Sequence, residues 1–161
     1  MGTRCGDIDS GIVTYMMDQT GMTTKEIDTA LNKNSGFLGV SGISSDARDI
    51  EDGVAKGNER CILAQKMYVR RVINYIAMYY VEMGGADAIV FTAGLGENSI
   101  ETRKLVIEGL KVLGVKLDEE ANKVRGKEAL ITAKTSKIPC YVIPTDEELM
   151  IARDTYELAN K

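Results

Sequence analysis

The chain has 161 residues, 44% hydrophobic, 27% charged and 6% aromatic, a balance that fits a folded globular protein and excludes a low-complexity or collagen-like one. Twenty basic residues against twenty-four acidic ones give a formal charge of -4 and a pI near 5.0, so no nucleic-acid partner is expected. No histidine is present, and any acid-base work within the chain falls to carboxylates or lysine.

Taken in chain order, Asp9 or Ser10 can cap a helix from Gly11 to about Gln19, which Gly21 ends. Thr23 with Glu26 is a capping-box pair that opens a second helix with Ile27, Ala30 and Leu31 on one side, stopped at Asn34-Ser35-Gly36. Phe37 to Asp46, rich in glycine and serine, reads as a functional loop, and a short helix follows from Ala47 to Lys56. Asn58 to Met83 is the longest helical pattern, closed by Gly84-Gly85. Its second half, from Val72, is apolar almost all round and is expected to be buried on two sides, as a central element or a subunit interface.

Ala86 to Thr92 reads as a buried strand, followed by a Gly94-Leu95-Gly96 turn and a helix from Ser99 to Leu113, with Asn98 as its cap and Glu101 completing a capping box. A short helix over Asp118 to Val124, strands over Ala129 to Ala133 and Pro139 to Pro144, and a helix from Asp146 to Ala159 complete the pattern. The order predicts an α/β fold, helix-rich with a small parallel or mixed sheet, in a single domain over residues 1–161.

Cys5, Cys61 and Cys140 stand far apart and are odd in number, so neither a disulfide framework nor a zinc site is expected. The first residues lack a signal-peptide core and no apolar run reaches the length of a bilayer span, which points to a cytoplasmic protein without a membrane partner.

Four segments could carry chemistry. In Phe91-Thr92-Ala93-Gly94-Leu95-Gly96-Glu97-Asn98-Ser99, glycines at the end of a strand let backbone approach a ligand, as in phosphate or nucleotide contact, and serve equally as a tight turn. Pro144-Thr145-Asp146-Glu147-Glu148 gathers carboxylates where a helix begins, which suits ordinary capping or a magnesium site. Arg4 sits in a glycine-flanked loop where a guanidinium fork can meet carboxylate or phosphoryl oxygens, or simply water. Ser44-Ser45-Asp46-Ala47-Arg48-Asp49 carries polar residues at another helix start, where structural capping is the plain reading.

Met-Gly-Thr-Arg-Cys-Gly-Asp-Ile-Asp at the start, Gly42-Ile43-Ser44-Ser45-Asp46-Ala47-Arg48-Asp49, and the Phe91 to Ser99 and Pro144 to Glu148 segments together closely resemble the acetate kinase family. That family belongs to the acetate and sugar kinase, heat-shock chaperone and actin superfamily, and the resemblance covers the whole chain. It implies a partial ribonuclease-H-like, actin-like ATPase domain, the C-terminal part of such a kinase without its N-terminal domain. The family's Asn-x-Gly-Ser-Ser-Ser segment, substrate-pocket arginine, catalytic aspartate and histidines have no counterpart here.

By the same resemblance, Arg4 is the catalytic arginine that holds the acetate carboxylate or the transferring phosphoryl group. Asp46, Ala47 and Arg48 line the adenine pocket, Gly94, Leu95 and Gly96 lie against adenosine and the α-phosphate with Asn98 as a polar contact, and Glu147 binds magnesium. The implied cofactors are ATP/ADP and Mg2+, and the implied reaction is reversible phosphoryl transfer from ATP to acetate. Implied partners are acetate, ATP, the missing N-terminal part of the same enzyme and a second copy in a homodimer. The chain alone is expected to be inactive. Alternatives are a non-catalytic dimerisation module, a nucleotide-binding remnant, and a kinase for propionate or butyrate.

Overall fold

In the computed structural model, which describes residues 2–160, the chain divides into two units, Met1–Ala77 and Met78–Lys161. Met1, the first residue of the Arg4 segment, and Lys161 lie outside the described residues.

Local capping chemistry sets the helices of the first unit. Asp9 Oδ1 accepts the Gly11 N–H at 2.7 Å as α1 (Gly11–Thr20) begins, and Gly21, at φ 70, closes it by donating to Met17 O. The capping box forms at α2 (Thr24–Asn32): Glu26 Oε2 accepts the Thr23 N–H at 2.7 Å and the Thr23 hydroxyl accepts from Glu26 N.

The expected loop after Gly36 is instead largely helical, since α3 (Gly36–Ser41) forms within it. Phe37 is buried there with its ring 5.0 Å from that of Tyr68, and this tertiary contact overrides the poor helix propensity of glycine and serine. The core of the first unit combines Ile27, Phe37, Ile50, Cys61, Ala64 and Val69. A close approach of α4 (Ala47–Ala55) to α5 (Glu59–Glu82) depends on Gly53, where a Cβ would stand 2.4 Å from Cys61 Sγ.

Asn58 Oδ1 caps α5 by accepting from Arg60 N and Cys61 N at 3.0 and 3.1 Å. Burial of its second half on two sides is not found: the buried residues are Cys61, Ala64, Gln65 and Val69, while Val81 is 76% exposed. Helices α3 and α4 meet α5 at Tyr68 and Cys61, ahead of the apolar run from Val72.

In the second unit, β1 (Ile89–Phe91), β2 (Ala129–Leu130) and β3 (Cys140–Val142) make a three-stranded mixed sheet in the order β1-β3-β2. β1 runs parallel to β3 with Ile89 opposite Cys140, and β2 runs antiparallel with Ala129 opposite Val142. The strands are shorter than the sequence suggests. β1 is buried at Phe91 only, with Val90 48% exposed, because the sheet has just one covered face at this position.

The expected glycine turn is helical: Gly94, Leu95 and Gly96 lie within α6 (Ala93–Asn98). Ser99 rather than Asn98 caps α7 (Ile100–Gly109), its hydroxyl accepting from Thr102 N at 3.1 Å. Asn98 is already in α6 and its amide donates to Gly94 O at 3.0 Å, so Ser99, with extended backbone, is the residue placed to cap. The short helix expected after Asp118 is a single 3-10 turn over Ala121–Lys123. Val106, Ile107 and Leu110 are buried with Ile131, Cys140 and Val142 in the core, and α8 (Glu147–Ala159) follows β3 with no buried residue. Among the described residues, no helix is long and apolar enough to cross a membrane.

Candidate functional site

In the first unit the Arg4 loop is fixed from both sides. Cys5 N donates to Leu31 O at 2.8 Å and Phe37 N donates to Gly2 O at 2.7 Å. Beyond Arg4, the Asp7 carboxylate accepts from Arg71 Nη1 at 2.9 Å and from the Tyr75 hydroxyl at 2.6 Å. Arg4 itself is exposed and makes no hydrogen bond or ion pair among the described residues. It stands with Cys5, Phe37, Tyr68 and Arg70 around a cavity of about 510 Å³. A rigid loop thus presents a guanidinium with unspent donors at an apolar-floored cavity, an arrangement suited to a small carboxylate or phosphoryl oxygens.

At the start of α4, Asp46 Oδ1 accepts the Arg48 N–H at 2.9 Å while Asp46 Oδ2 accepts from Arg48 Nη2 at 2.6 Å. The Arg48 guanidinium donating to it, helped by the backbone bond, pulls the Asp46 carboxyl down to about 2. The Arg48 side chain is 88% exposed, so the pair holds a planar cation at the surface. A polar cleft of about 630 Å³ lies beside α4, lined by Ser44, Asp49, Asp52, Lys56 and Asn58, but Asp46, Ala47 and Arg48 are not among its walls.

In the second unit the structure brings Gly94 and Glu147 together. Both line a cleft of about 470 Å³ with Ala93, Thr145, Asp146 and Glu148; Leu95, Gly96 and Asn98 do not line it. The glycines have separate jobs. A Cβ on Gly94 would meet nothing within 4 Å, whereas one on Gly96 would stand 3.1 Å from the Phe91 carbonyl carbon. Gly94 therefore leaves backbone open to the cleft and Gly96 lets α6 sit on β1. Ala93 at the mouth has φ 58, a left-handed conformation that residues other than glycine seldom adopt.

Glu97, which the sequence reading did not assign, ties the two cleft walls: its Oε1 accepts the Thr145 N–H at 2.8 Å and the Thr145 hydroxyl at 2.9 Å. Asp146 Oδ1 is used as the cap of α8, accepting Leu149 N at 3.0 Å. The carboxylates of Glu147 and Glu148 make no hydrogen bond or ion pair among the described residues. No set of three or more protein ligands for a metal occurs among the described residues. This donor set fits magnesium, which takes one or two protein carboxylates and fills its remaining positions with water and phosphate oxygens.

Arg103 is the other residue that the sequence reading missed. It is 0% exposed and donates to Gly96 O at 2.9 Å, Asn122 Oδ1 at 2.8 Å, and Asn122 O and Val124 O at 2.7 Å each. Its place on the apolar stripe of α7, with Val106, Ile107 and Leu110, is the sequence signal that could have found it.

Residues 1–153 match the acetokinase family. The acetate kinase of Phocaeicola vulgatus is 55% identical over 161 residues, which is 100% of this chain and 40% of that protein. Among solved structures, Porphyromonas gingivalis acetate kinase superposes with a TM-score of 0.90 at 46% identity, covering 99% of this chain and 40% of that one. A propionate kinase from Francisella tularensis gives a TM-score of 0.87 at 41% identity, covering 94% of this chain and 38% of that one. The helix-rich architecture with its small mixed sheet is thus part of an actin-like ATPase fold, and the chain spans about 40% of the length of the curated relatives it matches.

Proposed function

The chain belongs to the acetokinase family, and from that premise we propose that it is the nucleotide-side, C-terminal part of an acetate kinase, which transfers a phosphoryl group reversibly between ATP and acetate once joined to the rest of the enzyme. The observation that carries the proposal is 55% identity to an acetate kinase along 100% of this chain. The Arg4, Asp46, Gly94 and Glu147 segments all fall within that match.

In the reaction a carboxylate oxygen of acetate bonds to the γ-phosphorus of ATP as the bond to the β–γ bridging oxygen breaks, and ADP leaves. Acetate is already an anion at neutral pH, so a chain without histidine lacks nothing that this step requires. Phosphoryl transfer asks the protein chiefly to position reactants and to neutralise charge on the equatorial oxygens. Arg4, free and held by a fixed loop, supplies forked donors to the acetate carboxylate or the transferring group.

Asp46, Ala47 and Arg48 face adenine, with the planar Arg48 guanidinium held in orientation by Asp46. By the family resemblance Gly94, Leu95 and Gly96 lie along adenosine and the α-phosphate with Asn98 as a polar contact; of these Gly94 lines the cleft, and Gly96 also seats the segment on β1. Glu147 would hold Mg2+, which when bound offsets phosphate charge. The proposal includes a cytoplasmic homodimer, in which a second copy covers the exposed apolar residues Met78, Tyr79, Val81 and Met83.

The test is acetyl phosphate formation from acetate and magnesium-ATP by the purified chain, trapped as the hydroxamate, with a magnesium-free control. Absent or very weak turnover is expected, because one wall of a cleft cannot hold acceptor and γ-phosphate in line. Turnover matching a full-length relative overturns the assignment to half a site. The likeness to a propionate kinase favours a second reading, with propionate as acceptor, and the same assay on the joined enzyme compares the two acids.

A further inference from the structure

Gly96 accepts a hydrogen bond from a cation sealed in the protein interior. The Arg103 guanidinium spends its donors on carbonyl and amide oxygens of Gly96, Asn122 and Val124, all neutral, and no carboxylate pairs with it among the described residues. Buried arginines are normally paired with an acid. Burial, and secondarily the neighbouring Arg125, disfavour the charged form of Arg103, yet guanidinium is basic enough to stay protonated.

The cleft beside it has the opposite imbalance. Its walls are Ala93, Gly94, Thr145, Asp146, Glu147 and Glu148, with three carboxylates and no cation. With only 6 residues, α6 is too short for its dipole to offset them. Without a bound cation, a polyphosphate at Gly94 therefore meets like charge from the carboxylates of the same cleft, and the fixed positive charge held against Gly96 O offsets it. Inside the protein such a charge is poorly screened by salt and acts over a longer range than one in water.

We infer that Arg103 is a positioning residue whose buried, uncompensated charge favours the phosphates of a nucleoside diphosphate at the Gly94 cleft, while its bond to Gly96 O holds α6 in place. The inference rests on the nucleotide-side reading above. It separates two roles that deletion of the side chain would confound, geometry and charge.

Asn122→Asp distinguishes them, since it sets a carboxylate against Nε and neutralises Arg103 without removing it from Gly96 or Val124. ADP and adenosine are titrated into the purified chain, native and variant, with folding checked by circular dichroism. The expected result is ADP affinity lowered about fivefold or more, with adenosine affinity unchanged. Because Asn122 also donates to Ile100 O at 3.0 Å, a second pair covers failure to fold: Arg103→Lys, titrated at pH 6 where the less basic ammonium stays protonated, keeps the charge, and Arg103→Gln removes it. Lysine should keep the native ratio of ADP to adenosine affinity within about twofold, and glutamine should lower it about fivefold. ADP binding that Asn122→Asp leaves unchanged, or an equal loss for ADP and adenosine, overturns the charge role while the nucleotide reading stands. A native chain that binds neither ligand overturns both.

Discussion

Glu97 and Thr145 are joined by two hydrogen bonds to one carboxylate oxygen, the Thr145 N–H at 2.8 Å and its hydroxyl at 2.9 Å. The tie crosses from α6 to the turn that presents Glu147, so the geometry of the proposed metal carboxylate depends on a residue outside the cleft walls. Donation by the Thr145 backbone, then by its hydroxyl, holds the Glu97 carboxyl below its ordinary value of 4.5. A depressed carboxyl makes its contribution above the unfolded value and loses it as pH falls through the folded one. The tie is therefore intact at neutral pH. Glu97→Ala should weaken Mn2+ binding to the chain in the presence of ADP, read by electron paramagnetic resonance, several-fold. Glu97→Gln, which retains an acceptor at Oε1, should fall between. Unchanged Mn2+ binding in Glu97→Ala contradicts the positioning role.

The two glycines of α6 should respond oppositely to alanine. A Cβ at Gly96 would stand 3.1 Å from the Phe91 carbonyl carbon and 3.4 Å from Phe91 Cα, so β1 or α6 must shift. Gly96→Ala should cost about 1–3 kcal/mol in denaturant unfolding. At Gly94 nothing lies within 4 Å, and Gly94→Ala should leave stability nearly unchanged while lowering ADP affinity. Loss of stability at Gly94 without loss of ADP binding would contradict its assignment as a ligand-facing position.

The three thiols differ by burial. Cys61 and Cys140 are both 0% exposed, and desolvation pushes the Cys140 thiol up to about 12, whereas Cys5 lies half-exposed beside Arg4. Because the thiolate is the reactive form, Ellman's reagent at pH 8 should modify Cys5 alone in the folded chain and all three thiols in guanidinium. Rapid modification of Cys140 under native conditions would show that the sheet opens there.

Asp46 offers a direct electrostatic test. Its ordinary value is 3.8, and the hydrogen bonds from Arg48 lower it to about 2. The stability that the pair contributes is thus present above about pH 4 and lost as pH falls toward 2. Side-chain carboxyl titration by nuclear magnetic resonance should give a midpoint near 2 in the native chain and a higher one in Arg48→Ala, still below 3.8 because the backbone N–H of residue 48 goes on donating to Asp46 Oδ1. Equal midpoints would mean that the pair does not form in solution.

Elements set by local chemistry were legible in the sequence. The Thr23–Glu26 capping box, the Asp46 cap, the long α5 and the strands at Ile89–Phe91 and Cys140–Val142 stand where spacing and side-chain type place them. What escaped depends on distant partners. Helix α3 forms because Phe37 reaches Tyr68, and no window around Gly36 contains that contact. Arg103 resembles any charged helix residue until Gly96 and Asn122 arrive around it. Glu97 sits inside a recognised segment, but its partner Thr145 is brought to it only by the parallel pairing of β1 and β3. The candidate site was legible as motif segments, while the bonds that hold those segments together were not.

Membership of a working acetate kinase site is tested by a chimera in which this chain replaces the matching C-terminal 40% of Porphyromonas gingivalis acetate kinase, assayed for acetyl phosphate formation from acetate and magnesium-ATP. Turnover within about tenfold of the parent enzyme is expected, abolished by Arg4→Ala in the grafted part. A folded chimera that binds ADP but makes no acetyl phosphate, or one whose turnover survives Arg4→Ala, would contradict that membership.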